Sequence, residues 1–259
     1  MAWIERSGGR IYFERHGKSG PALILVHGRG GCAASWWQQI PHFAADHRVI
    51  ALDQRGFARS AWAEDGPHAL AHGDDLLALI DAEGLERVVL VGQSLGGRAC
   101  MKLAWRHRER VRGLVLSATP GGLRIPEVLN SQSARMAIPR GIEAPTAALA
   151  PAYRASHPEM TLLYEQLRAM SPPQGREFKA SLDSIEDGPT PEDLTDYAVP
   201  TMVISGSEDV LYPPPILEAV AARIPGARLA PMAGAGHSPY WEQPHAFNSH
   251  LREFLLALP

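Results

Sequence analysis

The chain has 259 residues, 45% of them hydrophobic, 20% charged and 7% aromatic, with apolar residues spread along its whole length, which suits one packed domain and excludes a disordered, collagenous or coiled-coil chain. Lys and Arg number 25 against 28 Asp and Glu, a formal charge of −3, so no basic field exists to attract nucleic acid or an anionic membrane surface. Two cysteines, Cys32 and Cys100, are too few for a disulfide framework or a structural zinc site; with no apolar leader in Met1–Arg10 and no long apolar stretch, they read as buried thiols of a soluble protein in a reducing cytoplasm.

In chain order, Ile11–His16 comes first and suits an antiparallel edge hairpin turned at Gly8-Gly9 and at Lys18–Pro21. Ala22–Val26, Val49–Leu52, Val88–Val91, Leu114–Leu116 and Thr201–Ile204 are apolar on both alternating faces, the mark of strands covered on both sides of a parallel sheet, and Ala227–Ala230 is a further strand candidate. Helical periodicity falls between them, over Ser35–Ala45, Leu70–Glu83, Leu95–His107, Ile216–Ile224 and Pro244–Leu258. Strand alternating with helix predicts an α/β fold, a mainly parallel twisted sheet flanked by helices. The alternation stops from Pro120 to Ala198, where ten of the 22 prolines gather and Pro158–Met170 keeps a helical period. A connection of that length is uncommon unless it is a lid or binding element, so residues 120–199 read as a helical cap inserted into a core formed by 1–119 and 200–259.

Gly92-Gln93-Ser94-Leu95-Gly96 lies where the strand Val88–Val91 gives way to a helix. A serine on so tight a turn leaves no room for Cβ atoms two residues to either side, and the helix beginning at Leu95 aims its unpaired N–H groups and positive dipole end at the same point. The plain alternative is an N-capping serine beside glycines that admit close packing. A serine hydroxyl is a weak nucleophile without a base, which requires a histidine oriented by a carboxylate. Asp209 follows the strand Thr201–Ile204 in Ser205-Gly206-Ser207-Glu208-Asp209, with Glu208 as the rival acid, and His237 stands in Gly234-Ala235-Gly236-His237 after Ala227–Ala230. The Gly-rich run His27-Gly28-Arg29-Gly30-Gly31 can turn backbone N–H groups toward an anion, so the Arg29 and Leu95 amides are the expected oxyanion donors. All these segments follow strands and would converge above the carboxyl edge of the sheet, which favours the nucleophile over the N-cap.

These motifs resemble the α/β-hydrolase superfamily over nearly the whole chain, in the order Ser94, Asp209, His237. Asp53-Gln54-Arg55-Gly56-Phe57-Ala58-Arg59-Ser60 is similar to the family's D-x-R-G-x-G-x-S turn, with Ala58 in place of the second glycine. The resemblance implies a helical cap after the sixth family strand, a Ser–His–Asp triad and no cofactor. Serine at the elbow separates the chain from relatives that use aspartate there, and Leu116-Ser117-Ala118-Thr119-Pro120 offers no carboxylate for relatives that take the acid before the cap. The expected reaction is hydrolysis of a small ester, lactone or thioester; the alternatives are carbon–carbon hydrolysis of a vinylogous diketone, a slow-turnover ligand receptor, and a cofactor-free haloperoxidase or lyase.

Candidate pocket residues are Gly28, Gln93, Trp36, Trp37, Arg124 and Trp241, with Arg29, Arg98 and Arg124 able to hold a substrate carboxylate; core packing or solvation is the competing role for the tryptophans and arginines. His68 and His72 with Asp74 and Asp75 have metal-like spacing on a helix, but a solvated helix face accounts for them and no metal is expected. The partner is a small-molecule substrate, with neither nucleic acid nor membrane, and the chain is expected to be a monomer or homodimer.

Overall fold

The computed structural model describes residues 1–60, 62, 68–136 and 147–259. Eight strands form one sheet: β1 (Ala2–Arg6), β2 (Gly9–His16), β3 (Ala22–Val26), β4 (Arg48–Leu52), β5 (Val88–Gln93), β6 (Val111–Ser117), β7 (Thr201–Gly206) and β8 (Arg228–Met232). Their order is β1-β2-β4-β3-β5-β6-β7-β8. β1–β2 and β2–β4 pair antiparallel and all other neighbours pair parallel.

The parallel strands are buried because both faces are covered. Within β3, Ala22, Ile24 and Val26 enter one apolar cluster and Leu23 and Leu25 the other, the two-residue alternation of a pleated strand. Helices α2 (His72–Ala82) and α3 (Leu95–Arg106) cover the first face with Leu76, Leu79, Met101 and Leu103. The second face is covered by α1 (Ile40–Phe43) and, near the C-terminus, by Phe247, Leu251 and Phe254. Between β6 and β7 run α4 (Pro126–Met136), α5 (Pro151–Ser156), α6 (Pro158–Ala169) and α7 (Arg176–Asp183). The chain closes with α8 (Pro214–Arg223), α9 (Pro239–Glu242) and α10 (Pro244–Leu256).

Two expectations change. Ser35–Ala45 is not one helix: a 3₁₀ turn spans Ala33–Trp36 and α1 begins only at Ile40, since Pro41 lacks an N–H and suits a first turn rather than a helix interior. Ile11–His16 is part of β2, but its hairpin partner is β1, with Arg6 opposite Gly9, and the Lys18–Pro21 turn leads into β3, which β2 does not touch.

Candidate active site

Three chain segments meet above the carboxyl ends of β5, β7 and β8. At the end of β5, Ser94 has φ 49 and ψ −116, a left-handed backbone that a non-glycine residue adopts only at a cost of about 1–3 kcal/mol. Surrounding structure enforces it. A Cβ on Gly92 would lie 2.6 Å from the Gly97 Cα, and one on Gly96 would lie 2.3 Å from the Val26 carbonyl oxygen, so only glycines let strand, turn and helix approach this closely. The turn leaves Ser94 partly exposed while its neighbours on both sides are buried.

His237 bridges the serine and the acid. The Ser94 hydroxyl lies 2.9 Å from His237 Nε2, and His237 Nδ1 lies 2.9 Å from Asp209 Oδ2. Asp209 Oδ1 accepts the Leu211 and Tyr212 N–H groups at 2.8 and 2.9 Å, which fixes the carboxylate and leaves Oδ2 facing the imidazole. Asp209 and His237 are 3% and 5% exposed, whereas Glu208, the rival acid, faces solvent. The two loops come together because Gly206 packs directly on the Gly236 carbonyl, 2.3 Å from where a Cβ would stand.

Side chains whose supporting role the sequence did not show hold this arrangement. Gln93 donates from Nε2 to the His237 carbonyl at 2.8 Å. Its amide oxygen crowds Gly28, where a Cβ would fall 2.0 Å from it, so Gln93 and Gly28 adjoin each other under Ser94. His27 is wholly buried; its Nε2 accepts the Gln54 N–H at 2.8 Å, which leaves the proton on Nδ1 to be donated to the Gly28 carbonyl at 2.7 Å. The Gly31 N–H bonds that carbonyl too, at 3.0 Å. In a trans peptide the carbonyl and the following N–H point opposite ways, so fixing the Gly28 oxygen also fixes the direction of the Arg29 N–H. Burial lowers the His27 pKa and keeps the ring neutral. Tyr164, from α6, shares a 2.8 Å hydrogen bond with Ser238. The only sequence signal for these roles was the His27-Gly28 pair; the others join residues far apart in the chain.

The helices between β6 and β7 reach this site. Arg168 of α6 donates to the Arg29 carbonyl at 2.6 Å, and Phe178 of α7 lies against Gly56 among Phe57, Trp62 and Leu95. A cavity of about 10 Å³ lies beside the Arg29 loop, lined by Gly28, Arg29, Gln93, Tyr164, Arg168 and Tyr240 among others. A larger one, about 340 Å³, sits at the opposite, amino ends of the strands against Pro21, Val89 and Arg112, remote from Ser94.

The expected pocket residues separate. Gly28, Gln93 and Arg29 are at the cavity. Trp36 and Trp241 are fully enclosed, Trp36 against Tyr240 with ring centres 4.4 Å apart and Trp241 edge-on to Tyr164 at 5.2 Å; they pack the core, and the cavity is walled by the two tyrosines instead. Trp37 is 44% exposed and meets Trp241 edge-on. Arg124 is exposed, tied to Pro189 through its backbone N–H, while the Arg29 side chain pairs with Asp183 at 2.8 Å. Arg98 is buried and bonds carbonyls of α7. His72 bonds the Arg55 carbonyl, Asp75 pairs with Arg55 and Arg6, and among the described residues no three His, Cys, Asp or Glu side chains are grouped to hold a metal ion. Burial raises the pKa of both cysteine thiols, so neither is a poised nucleophile.

Residues 21–244 match the family model described as the alpha/beta hydrolase fold. The chain belongs to that family. As an α/β hydrolase it is an enzyme of the hydrolase class, and the enclosing sheet is the family's. The chain is 32% identical over 259 residues to the putative carbamate hydrolase RutD of Caulobacter sp. (strain K31), covering 95% of each chain. It is 27% identical to the pimeloyl-[acyl-carrier protein] methyl ester esterase of Aeromonas hydrophila, covering 95% of this chain and 99% of the relative. Among solved structures it is similar to a malate-bound thermophilic esterase from Thermogutta terrifontis, with 27% identity, a TM-score of 0.84, and coverage of 99% of this chain and 98% of that one. Among the described residues no helix is long and apolar enough to cross a membrane.

Proposed function

We propose that the chain is a serine hydrolase that cleaves a small carboxylic ester, lactone or thioester through an acyl-enzyme, with Ser94, His237 and Asp209 as its triad and helices α4–α7 as its cap. The observation that carries this reading is His237 placed 2.9 Å from both the Ser94 hydroxyl and the Asp209 carboxylate. His237 takes the Ser94 proton as the oxygen attacks the acyl carbon, then returns it to the leaving alkoxide; a water activated by the same nitrogen releases the acid. Asp209 keeps the Nδ1–H tautomer and stabilises the imidazolium. The developing oxyanion is received by the Arg29 and Leu95 N–H groups, neither of which is hydrogen-bonded to an acceptor among the described residues. Each such donor is worth about 3–4 kcal/mol of barrier.

The relative named as a carbamate hydrolase favours a second reading, in which the acyl group is carbamoyl and the same tetrahedral chemistry applies. The test is hydrolysis of p-nitrophenyl esters of rising acyl length by the intact protein, Ser94→Ala and His237→Ala. The reading expects the intact protein to turn over these esters, the preferred acyl length to size the pocket, and both variants to fall by about 10³-fold or more. Variants as active as the intact protein would remove Ser94 as nucleophile.

A further inference from the structure

Glu242 closes α9, five residues beyond His237, and is 7% exposed. Its carboxylate accepts three backbone N–H groups: Gly236 and Ala150, each at 3.0 Å, on Oε2, and Ser238 at 3.2 Å on Oε1. No Lys or Arg among the described residues forms an ion pair with it. A buried carboxylate with no cation beside it is costly, and burial raises its pKa; the offset here comes from charge-assisted bonds to backbone amides. The choice of amides is informative. Gly236 and Ser238 are the two neighbours of His237, and Ala150 immediately precedes α5 in the helical segment between β6 and β7. A helix-capping role would account for the Ser238 bond alone.

We infer that Glu242 is the positioning residue for His237, clamping the N–H groups of its two neighbouring residues and tying them to Ala150, so that the base and the wall of the cap are held as one unit. This rests on the serine-hydrolase reading for what His237 does, but not for where it is held. Gln93 fixes the His237 carbonyl and Asp209 fixes Nδ1; Glu242 adds a restraint on the backbone amides to either side. Reaction geometry tolerates little error: a displacement of about 1 Å costs on the order of 100-fold in rate.

Glu242→Gln keeps the volume but has one acceptor oxygen, and its NH₂ would face an N–H, so at least one of the three amides loses its acceptor. The expected result is a kcat on p-nitrophenyl acetate lowered about 10- to 100-fold with KM within about twofold. In proton NMR without substrate, the low-field His237 Nδ1–H resonance should broaden. Leu251→Ala, a buried position on α10, is the control for lost stability, with kcat and resonance unchanged. If Glu242→Gln melts earlier as Leu251→Ala does but keeps its kcat and a sharp resonance, Glu242 only stabilises the fold and the inference is wrong. Should Glu242→Gln fail to fold, Glu242→Asp, which withdraws the charge by one methylene, replaces it: a lowered kcat with a broadened resonance supports the clamp, and an unchanged kcat with a sharp resonance overturns it. The resonance separates this inference from the function: loss of the signal in Glu242→Gln with no ester turnover by the intact protein leaves the clamp standing and removes the ester reading.

Discussion

At the scale of single residues, Ser94 carries two opposed demands. Its hydroxyl needs the exposed turn, and the turn holds φ at 49, which its Cβ resists. Only removal of the Cβ relieves that strain, so Ser94→Gly and Ser94→Ala should differ in stability although both lose the nucleophile. We expect Ser94→Gly to be more stable than the intact protein by about 1 kcal/mol, after the greater backbone entropy of glycine in the unfolded chain is subtracted, equivalent to roughly 2–4 °C in Tm for a chain of this size. Ser94→Ala should show no such gain. Thermal melts of the three proteins check this; equal Tm values for the two variants would mean that the turn stores no strain at Ser94. Ala58, where the resemblance leads one to expect glycine, also has a positive φ, 43, without a catalytic reason in the structure.

At the scale of elements, legibility followed burial. β3, β5 and β7 were readable because strands covered on both faces are apolar without interruption, and α3 because its apolar face is periodic. β1 was not: Ala2–Arg6 is an edge strand whose residues alternate between half-buried and exposed, and its charges resemble those of a loop. The anchoring of α7 was equally hidden, since it depends on pairs distant in sequence. Phe178 and Leu182 dock the helix by Leu95, and Arg98, one turn beyond Ser94, donates from Nη1 to the carbonyls of Ser181 and Leu182 at 3.2 Å and to that of Ser184. A cation on the last carbonyls of a helix satisfies acceptors that the helix itself leaves open. Arg98→Met removes these bonds while keeping much of the apolar stem. Its cost, about 1–3 kcal/mol, should fall on the α7 docking rather than on the sheet. Limited proteolysis should then cut within 170–190 several-fold faster, and KM should rise more than kcat falls. A cleavage rate and KM equal to those of the intact protein would show that the arginine does not hold α7.

For the molecule as a whole, the candidate site was legible where one strand end carried one motif, as with Ser94, Asp209 and His237, and illegible where the support came from side chains reaching across the fold, as with Glu242, Tyr164 and the bond from Gln93, read only as a pocket residue, to the His237 carbonyl. That same buried support makes the fold depend on pH. His27 and His72 are enclosed; burial lowers the pKa of both, that of His72 strongly with help from Arg98, while in the unfolded chain each titrates near the ordinary histidine value of about 6.5. Between the folded and unfolded values the unfolded chain binds more protons, so stability rises with pH in that window. These histidines therefore contribute stability above about pH 6.5 that is lost as pH falls toward their folded values, with a limiting slope of about 1.4 kcal/mol per pH unit for each. Glu242 acts in the opposite sense. Its folded pKa is raised, so its contribution is present below the ordinary carboxyl value of 4.5 and is lost as pH rises through the folded value, offsetting part of the histidine slope. Urea midpoints measured between pH 5 and 7.5 should accordingly fall with acidification. The slope should become shallower in His72→Gln, whose amide can still donate to the Arg55 carbonyl, and steeper in Glu242→Gln. Parallel curves for all three proteins would mean that neither group changes its proton affinity on folding, and that the acid sensitivity lies elsewhere in the chain.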